Sequence, residues 1–383
     1  MKADRDYFVD TLGRLVRIPS INPGFGGDGE SRIAGWVAKE MERLGMAARR
    51  FEAVPGRPSV VGVLPGAGGG PVLMLYAHID TVGIEGMAEP FSGDARESRV
   101  YGRGAFDMKG GLAACFTAVR ALREAGVTLA GDLLIAAVAD EEVASIGIQE
   151  VLLHVTADAA IVTEPTEMIV GLAHKGFCWI EVETFGRAAH GSAFDEGIDA
   201  NMRMGRFLAR LDALETELRT SDPHPLVGPP SLHAALLRGG TGASTYAASC
   251  RLTIERRMMP GETEESVVAQ LQAIAGQLAA EDPTFRAEIR PVLARDWFEV
   301  AADAPIVRTV LAAAAEVMGE TPAARGFGFW MDAAFLSAAG IETVVFGARG
   351  EGAHADVEWA DVESHVQLAD VLARAARAYC GEG

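Results

Sequence analysis

The spacing of apolar residues along the chain switches repeatedly between two periods. Near the N-terminus, "DYFVDTLGRLVRI" and "SRIAGWVAKEMERLG" place their apolar residues on one helical face, and Gly45 is positioned to end the second helix. "SVVGVLPG" and "PVLMLYAHID" are apolar runs of strand length, joined by the glycine-rich "GAGGG". That linker reads as a tight hairpin rather than a phosphate cradle, since no helix opening on Lys-Ser/Thr follows it. "DMKGGLAACFTAVRALREAG" returns to helical spacing, and "GDLLIAAVAD" and "ADAAIVTEP" are again strands. The alternation predicts an α/β layered sheet.

The pattern changes near Gly176. "FCWIEVETFGRA" alternates strictly, "GIDANMRMGRFLARLDALETEL" is helical, and "SLHAALLRGG" and "ASCRLTIERRM" read as two strands. A helix, "GETEESVVAQLQAIAGQLAAE", and a strand, "TFRAEIRPVL", follow. This strand-helix-strand-strand-helix-strand order is that of a ferredoxin-like α+β domain. Helix and strand patterns then resume with "APIVRTVLAAAAEVMG", "ETVVFG" and "HVQLADVLARAARAY". The expected organisation is a discontinuous layered domain, 1–173 plus 291–383, interrupted by a smaller domain at 174–290.

The chain has 383 residues, 49% of them hydrophobic and 23% charged, and a formal net charge of −19. Such an acidic balance disfavours nucleic acid and anionic membranes as partners, because both attract Lys and Arg. The opening "MKADRDYFVD" has no apolar secretory core, and no apolar run reaches the roughly 20 residues of a membrane span. Cys115, Cys178, Cys250 and Cys380 are scattered without a CxxC pair, which suits reduced thiols in a cytoplasmic protein.

The candidate chemistry sits at strand ends. In "VLMLYAHIDTV", His78 and Asp80 are two residues apart and so face the same way on a strand. One imidazole nitrogen can bind a metal while the carboxylate receives the other N–H. Asp107 follows a glycine-rich turn in "GRGAFDMKGG", Asp140, Glu141 and Glu142 close a strand in "VADEEVASIG", and Glu164 closes another in "IVTEPTE". His354 lies in "GEGAHADVEW". Crowded carboxylates repel unless something positive sits among them. In open α/β sheets, ligands bind beyond the carboxyl ends of the strands. Imidazole and carboxylate ligands suit zinc, with cobalt or manganese as replacements. Five such groups exceed what one open catalytic zinc takes, and fit two metal ions sharing a carboxylate.

"AHIDTV", "GRGAFDMKGG", "ADEEVASIG", "TEP" and "GAHADVE", in this order, resemble the di-zinc hydrolase family of acetylornithine deacetylase, succinyl-diaminopimelate desuccinylase, aminoacylase-1 and carboxypeptidase G. The resemblance spans nearly the whole chain, and in that family the inserted domain is a dimerisation or lid domain. By position it implies that His78 and Glu164 bind one zinc, Glu142 and His354 the other, and that Asp107 bridges them. It further implies that Asp80 orients His78 and that Glu141 is the general base. In "GRAAHGSAFDEG", His190 matches the lid histidine that reaches the partner's site in dimeric members. In "IERRMMPGE", Arg257 matches an arginine that receives a substrate carboxylate, with its neighbour Arg256 as the fallback.

Two departures stand out. Ser244 occupies the place of an Asn found in many relatives, and "GARGEGAH" lacks the proline often found after its first glycine. "HKGFCW" resembles the deacetylase-like branch, with His174 structural. The implied activity is hydrolysis of the amide of a small N-acyl amino acid by a homodimer. The alternatives are a dipeptidase, tripeptidase or carboxypeptidase using the same residues, or a metal-binding scaffold without catalysis. An unliganded acid such as Glu141 argues against the last.

Overall fold

A computed structural model describes residues 1–383, and the chain divides into two compact units. The first comprises Met1–Leu172, Val300–Arg325 and Met331–Gly383, and the second Ala173–Glu299 with Gly326–Trp330. The expected return to the first domain at residue 291 falls within the strand Ala287–Arg295, which pairs with Gly176–Phe185. That pairing carries the second unit on to Glu299.

The first unit is built on strands β1 (Ala47–Phe51), β2 (Ser59–Leu64), β3 (Leu73–His78), β4 (Leu133–Val138), β5 (Ala159–Val162) and β6 (Glu342–Val345). They lie side by side in the order β1-β2-β4-β3-β5-β6. Every residue of β3, β4 and β5 is buried, as expected of parallel strands with helices on both faces. The helix Gly110–Glu124 supplies twelve buried residues to this core, and the helix Val362–Cys380 supplies eleven.

The glycine linker is not a hairpin. β4 lies between β2 and β3, pairing antiparallel with one and parallel with the other. The glycines instead allow a close backbone approach to the turn before β4. Ala67 N–H donates to Leu129 O at 2.7 Å, and a Cβ at Gly70 would collide with the backbone N of Gly131.

Because β3, β4, β5 and β6 run parallel, their carboxyl ends share one edge of the sheet. Register sets His78 beside Val138, and Tyr76 beside Val162. Two residues further along, His78 is therefore level with Glu164, and Asp80 with Asp140. The strand order, not local sequence, brings these groups together.

The second unit has the expected ferredoxin-like topology. Its four strands are ordered Ser231–Gly239, Ser249–Met258, Gly176–Phe185, Ala287–Arg295, all antiparallel. The helices Ala200–Thr220 and Glu264–Glu281 contribute Met204, Phe207, Leu211, Val267, Leu271 and Leu278 to its core. All four cysteines are free and buried. No helix is long and apolar enough to cross a membrane.

Candidate metal centre

Within the first unit, His78 is buried at the end of β3 with Nδ1 3.0 Å from the backbone carbonyl of Asp80. A carbonyl only accepts, so Nδ1 carries the proton and Nε2 is turned toward the acids. Nε2 lies 3.2 Å from Asp107 Oδ1 and 3.7 Å from Glu164 Oε1. The other oxygen of Asp107, Oδ2, lies 3.4 Å from His354 Nε2, which is 3.1 Å from Glu142 Oε2. Asp107 thus faces a different imidazole with each of its oxygens. Oxygens of Glu141 and Glu164 fall within 4.8 Å of a His78 nitrogen and of each other, and so do those of Asp107 and Glu142.

Asp80 lies against both His78 and the turn that carries Glu141 and Glu142. Its Oδ1 is 3.6 Å from His78 Nδ1, beyond hydrogen-bond range, and the imidazole is held by the main chain instead. The carboxylate accepts the backbone N–H of Glu141 at 3.1 Å and of Glu142 at 3.2 Å. Asp80 therefore fixes the turn that aims those two acids.

The electrostatics are those of a crowded anion cluster. Burial, then Glu164, raises Glu141 well above the usual carboxylate range, and burial raises Glu164 similarly. Burial and then Asp107 raise Glu142. Burial works against a low value for Asp107, but hydrogen bonds from His354 and His78 override it and hold the acid down. Burial would lower His78, yet Glu164, Asp107 and Glu141 outweigh it and raise it. Hydrogen bonds to Asp107 and Glu142 lift His354 to about 10. The cluster recruits positive charge, and two of its oxygens, Glu142 Oε1 and Glu164 Oε1, are buried without a hydrogen-bond donor. Oxygens left so in a low-dielectric site call for a cation. The residues present fit a hard or borderline divalent ion with oxygen and nitrogen ligands.

Residues 74–378 match the peptidase family M20/M25/M40. The chain is a member of that family. Among M20 relatives, it is 32% identical over 357 residues to acetylornithine deacetylase of Myxococcus xanthus, covering 90% of this chain and 91% of that one. It is 29% identical over 376 residues to N-formyl-4-amino-5-aminomethyl-2-methylpyrimidine deformylase of Bacillus subtilis, covering 89% and 87%. Among solved structures, aminopeptidase PepT from Bacillus cereus superposes with a TM-score of 0.82 at 20% identity, covering 99% and 100%. Family membership makes this M20 chain a metal-dependent amidohydrolase with a mixed α/β fold.

The remaining expected residues lie in the second unit. His190 is exposed, with Nδ1 2.8 Å from Ser192 Oγ. Its loop meets that of Ser244, whose carbonyl accepts Gly191 N–H at 2.8 Å. Arg257 is half-buried, pairs with Glu255 at 2.6 Å and lies over the Phe177 ring. Arg256, the fallback, is buried and paired with Glu262. His174 is buried against Phe298, as a structural residue would be.

Asn22 was not foreseen. It is buried, and its Nδ2 donates to Asp80 Oδ2 and Asp140 Oδ1, each at 2.8 Å. Its Oδ1 accepts Gly24 N–H at 2.9 Å, which fixes which end of the amide faces the acids. Arg57 supplies the charge behind them, bonding Asp140 at 2.7 Å and Glu30 at 2.5 Å.

Proposed function

We propose that the chain hydrolyses the amide of N-acyl amino acids, releasing a carboxylate and a free amine. One observation carries this: Asp107 presents one oxygen to His78 and the other to His354, as a carboxylate shared by two ions would. His78 and Glu164 would hold one divalent ion, His354 and Glu142 the second, and zinc suits these ligands. When bound, two such ions acidify a water and polarise a carbonyl.

The remaining chemistry belongs to the chain's own groups. Glu141, whose backbone is held by Asp80, takes the proton of the attacking water. A C–O bond forms at the carbonyl carbon, the C–N bond breaks, and Glu141 returns the proton to the departing amine. Arg257 would receive the substrate carboxylate with its planar fork. His190 would donate to the developing oxyanion, with Ser244 nearby to orient the substrate.

His190 and Ser244 lie beside the start of the strand Ser249–Met258, and Arg257 near its end. Eight residues of strand span about 26 Å. One substrate is therefore best served by His190 from a second copy of the chain, which favours a homodimer. Both curated relatives described above bear names of enzymes that free an amine from an acyl group, which supports a deacylase over a peptidase.

The test is a screen of metal-reconstituted protein against N-acyl amino acids, N-acetylornithine included, and against di- and tripeptides. Faster turnover of the N-acyl compounds is expected. Preferential cleavage of peptides would reject the assignment.

A further inference from the structure

Glu358 and Arg103 form a buried ion pair at 2.7 Å behind the metal centre, and neither touches a neighbouring imidazole or carboxylate of the cluster. Their remaining contacts are all to backbone. Glu358 Oε2 also accepts Gly104 N–H at 3.0 Å, while Oε1 accepts Phe106 N–H at 2.9 Å and Asp107 N–H at 3.0 Å. Arg103 donates from Nε to Gly83 O at 2.8 Å and from Nη2 to Ala355 O at 3.0 Å. The pair therefore ties together the segment ending in Asp107, the segment after Asp80, and the residue next to His354.

That arrangement exceeds what a structural ion pair needs. Asp107 has an extended backbone, φ −114° and ψ 98°, at a kink where Met108 also leaves the helical conformation. His354 has φ +62°, a left-handed conformation that costs energy without a compensating constraint. Glu358 supplies the acceptor for the first segment, and the Arg103 fork supplies the donor that pins the second.

We propose that Arg103 and Glu358 are positioning residues that set Asp107 and His354 as one unit. They would fix the affinity of the ion held by His354 and Glu142 more than that of the ion held by His78 and Glu164. This rests on the reading of Asp107 and His354 as metal ligands. Outer partners of metal ligands typically govern affinity by about 10–100-fold.

Three variants of the whole protein, stripped of metal and titrated with Co²⁺ or Zn²⁺ by calorimetry, test it: Arg103→Lys, Glu358→Gln and His354→Ala. Arg103→Lys keeps the charge but cannot reach Gly83 O and Ala355 O at once. It is expected to weaken the second ion by about tenfold or more and leave the first within a few fold, with a changed Co²⁺ absorption spectrum. Glu358→Gln turns an amide donor toward Arg103 or the backbone N–H groups, and should weaken the second ion at least as much. Thermal melts without metal report stability separately, so a lowered midpoint with unchanged affinities would overturn the proposal and leave a structural pair. His354→Ala tests the underlying reading. If it still binds two ions as tightly, the ligand assignment fails; if it loses one while Arg103→Lys and Glu358→Gln do not weaken it, only the positioning role fails.

Discussion

The carboxylate of Asp80 accepts the backbone N–H of Glu141 at 3.1 Å and leaves His78 to its own main-chain carbonyl. That carbonyl survives any substitution at residue 80. Asp80→Ala is therefore expected to lower kcat by about 10–100-fold through the Glu141–Glu142 turn, weakening the ion held by Glu142 and His354 while leaving the ion held by His78 and Glu164 within a few fold. Parallel kinetics and calorimetry decide the matter. An affinity loss centred on the ion held by His78 and Glu164 would mean that the carboxylate acts through His78.

Glu141 and Glu142 differ in their partners. Glu142 faces His354 at 3.1 Å, whereas Glu141 has no imidazole of its own beyond the shared His78 group. Glu141→Gln should bind the full complement of metal and lose about 10²–10⁴ in kcat. Glu142→Gln should lose an ion, seen as a lower metal-to-protein ratio by elemental analysis. A metal deficit in Glu141→Gln would show that it is a ligand and not the base.

Metal uptake should expel protons. Ligands bind in their deprotonated form, while Glu142 and Glu164 are raised by burial and His354 is raised to about 10 by its bonds to Asp107 and Glu142. At pH 7 the metal-free His354 keeps a proton that a cation must displace. Calorimetry in buffers of different ionisation enthalpy should report release of about one proton or more. Heats independent of buffer would contradict this.

Acid sensitivity has a further source in His365, which makes none of the cluster's ion-pair contacts. Burial depresses His365 to about 4, its Nδ1–H donating to Asp361 O at 2.7 Å and its ring stacked on Phe8. The unfolded ring has a pKa of about 6.5. As pH falls through that value the unfolded chain binds a proton that the folded one refuses. Stability present above about pH 6.5 is therefore lost progressively down to about pH 4, by about 3 kcal/mol in all. Denaturant curves at pH 7, 5.5 and 4.5 should show a steeper decline for the native chain than for His365→Gln. Equal slopes would exclude His365 as the cause.

Much of this was legible in the sequence where a motif coincided with a strand end. His78, Glu142 and Glu164 each stand just beyond an apolar run, and parallel strands must bring such ends to one edge. The ferredoxin-like order was legible for the same reason, as period and element length agreed. The linker "GAGGG" misled because neighbouring strands in sequence are usually neighbours in space, and only the β4 pairing, non-local by nature, separates them here. Asn22 was invisible: "INPG" indicates a turn, and its two acceptors lie 58 and 118 residues away. Glu358 lay inside a quoted motif, but an acid whose partners are backbone N–H groups has no local pattern to announce it.

The Glu358 bonds span more than 250 residues. A ribosome releases Arg103 and the acidic strand ends long before it releases the glutamate that completes them. Until Glu358 emerges, the Arg103 guanidinium lacks its carboxylate and the amide hydrogens of Gly104, Phe106 and Asp107 lack their acceptor. Maturation of the centre is thus tied to synthesis as far as Glu358, and a chain cut short before that residue would hold its cations poorly however well its sheet had formed.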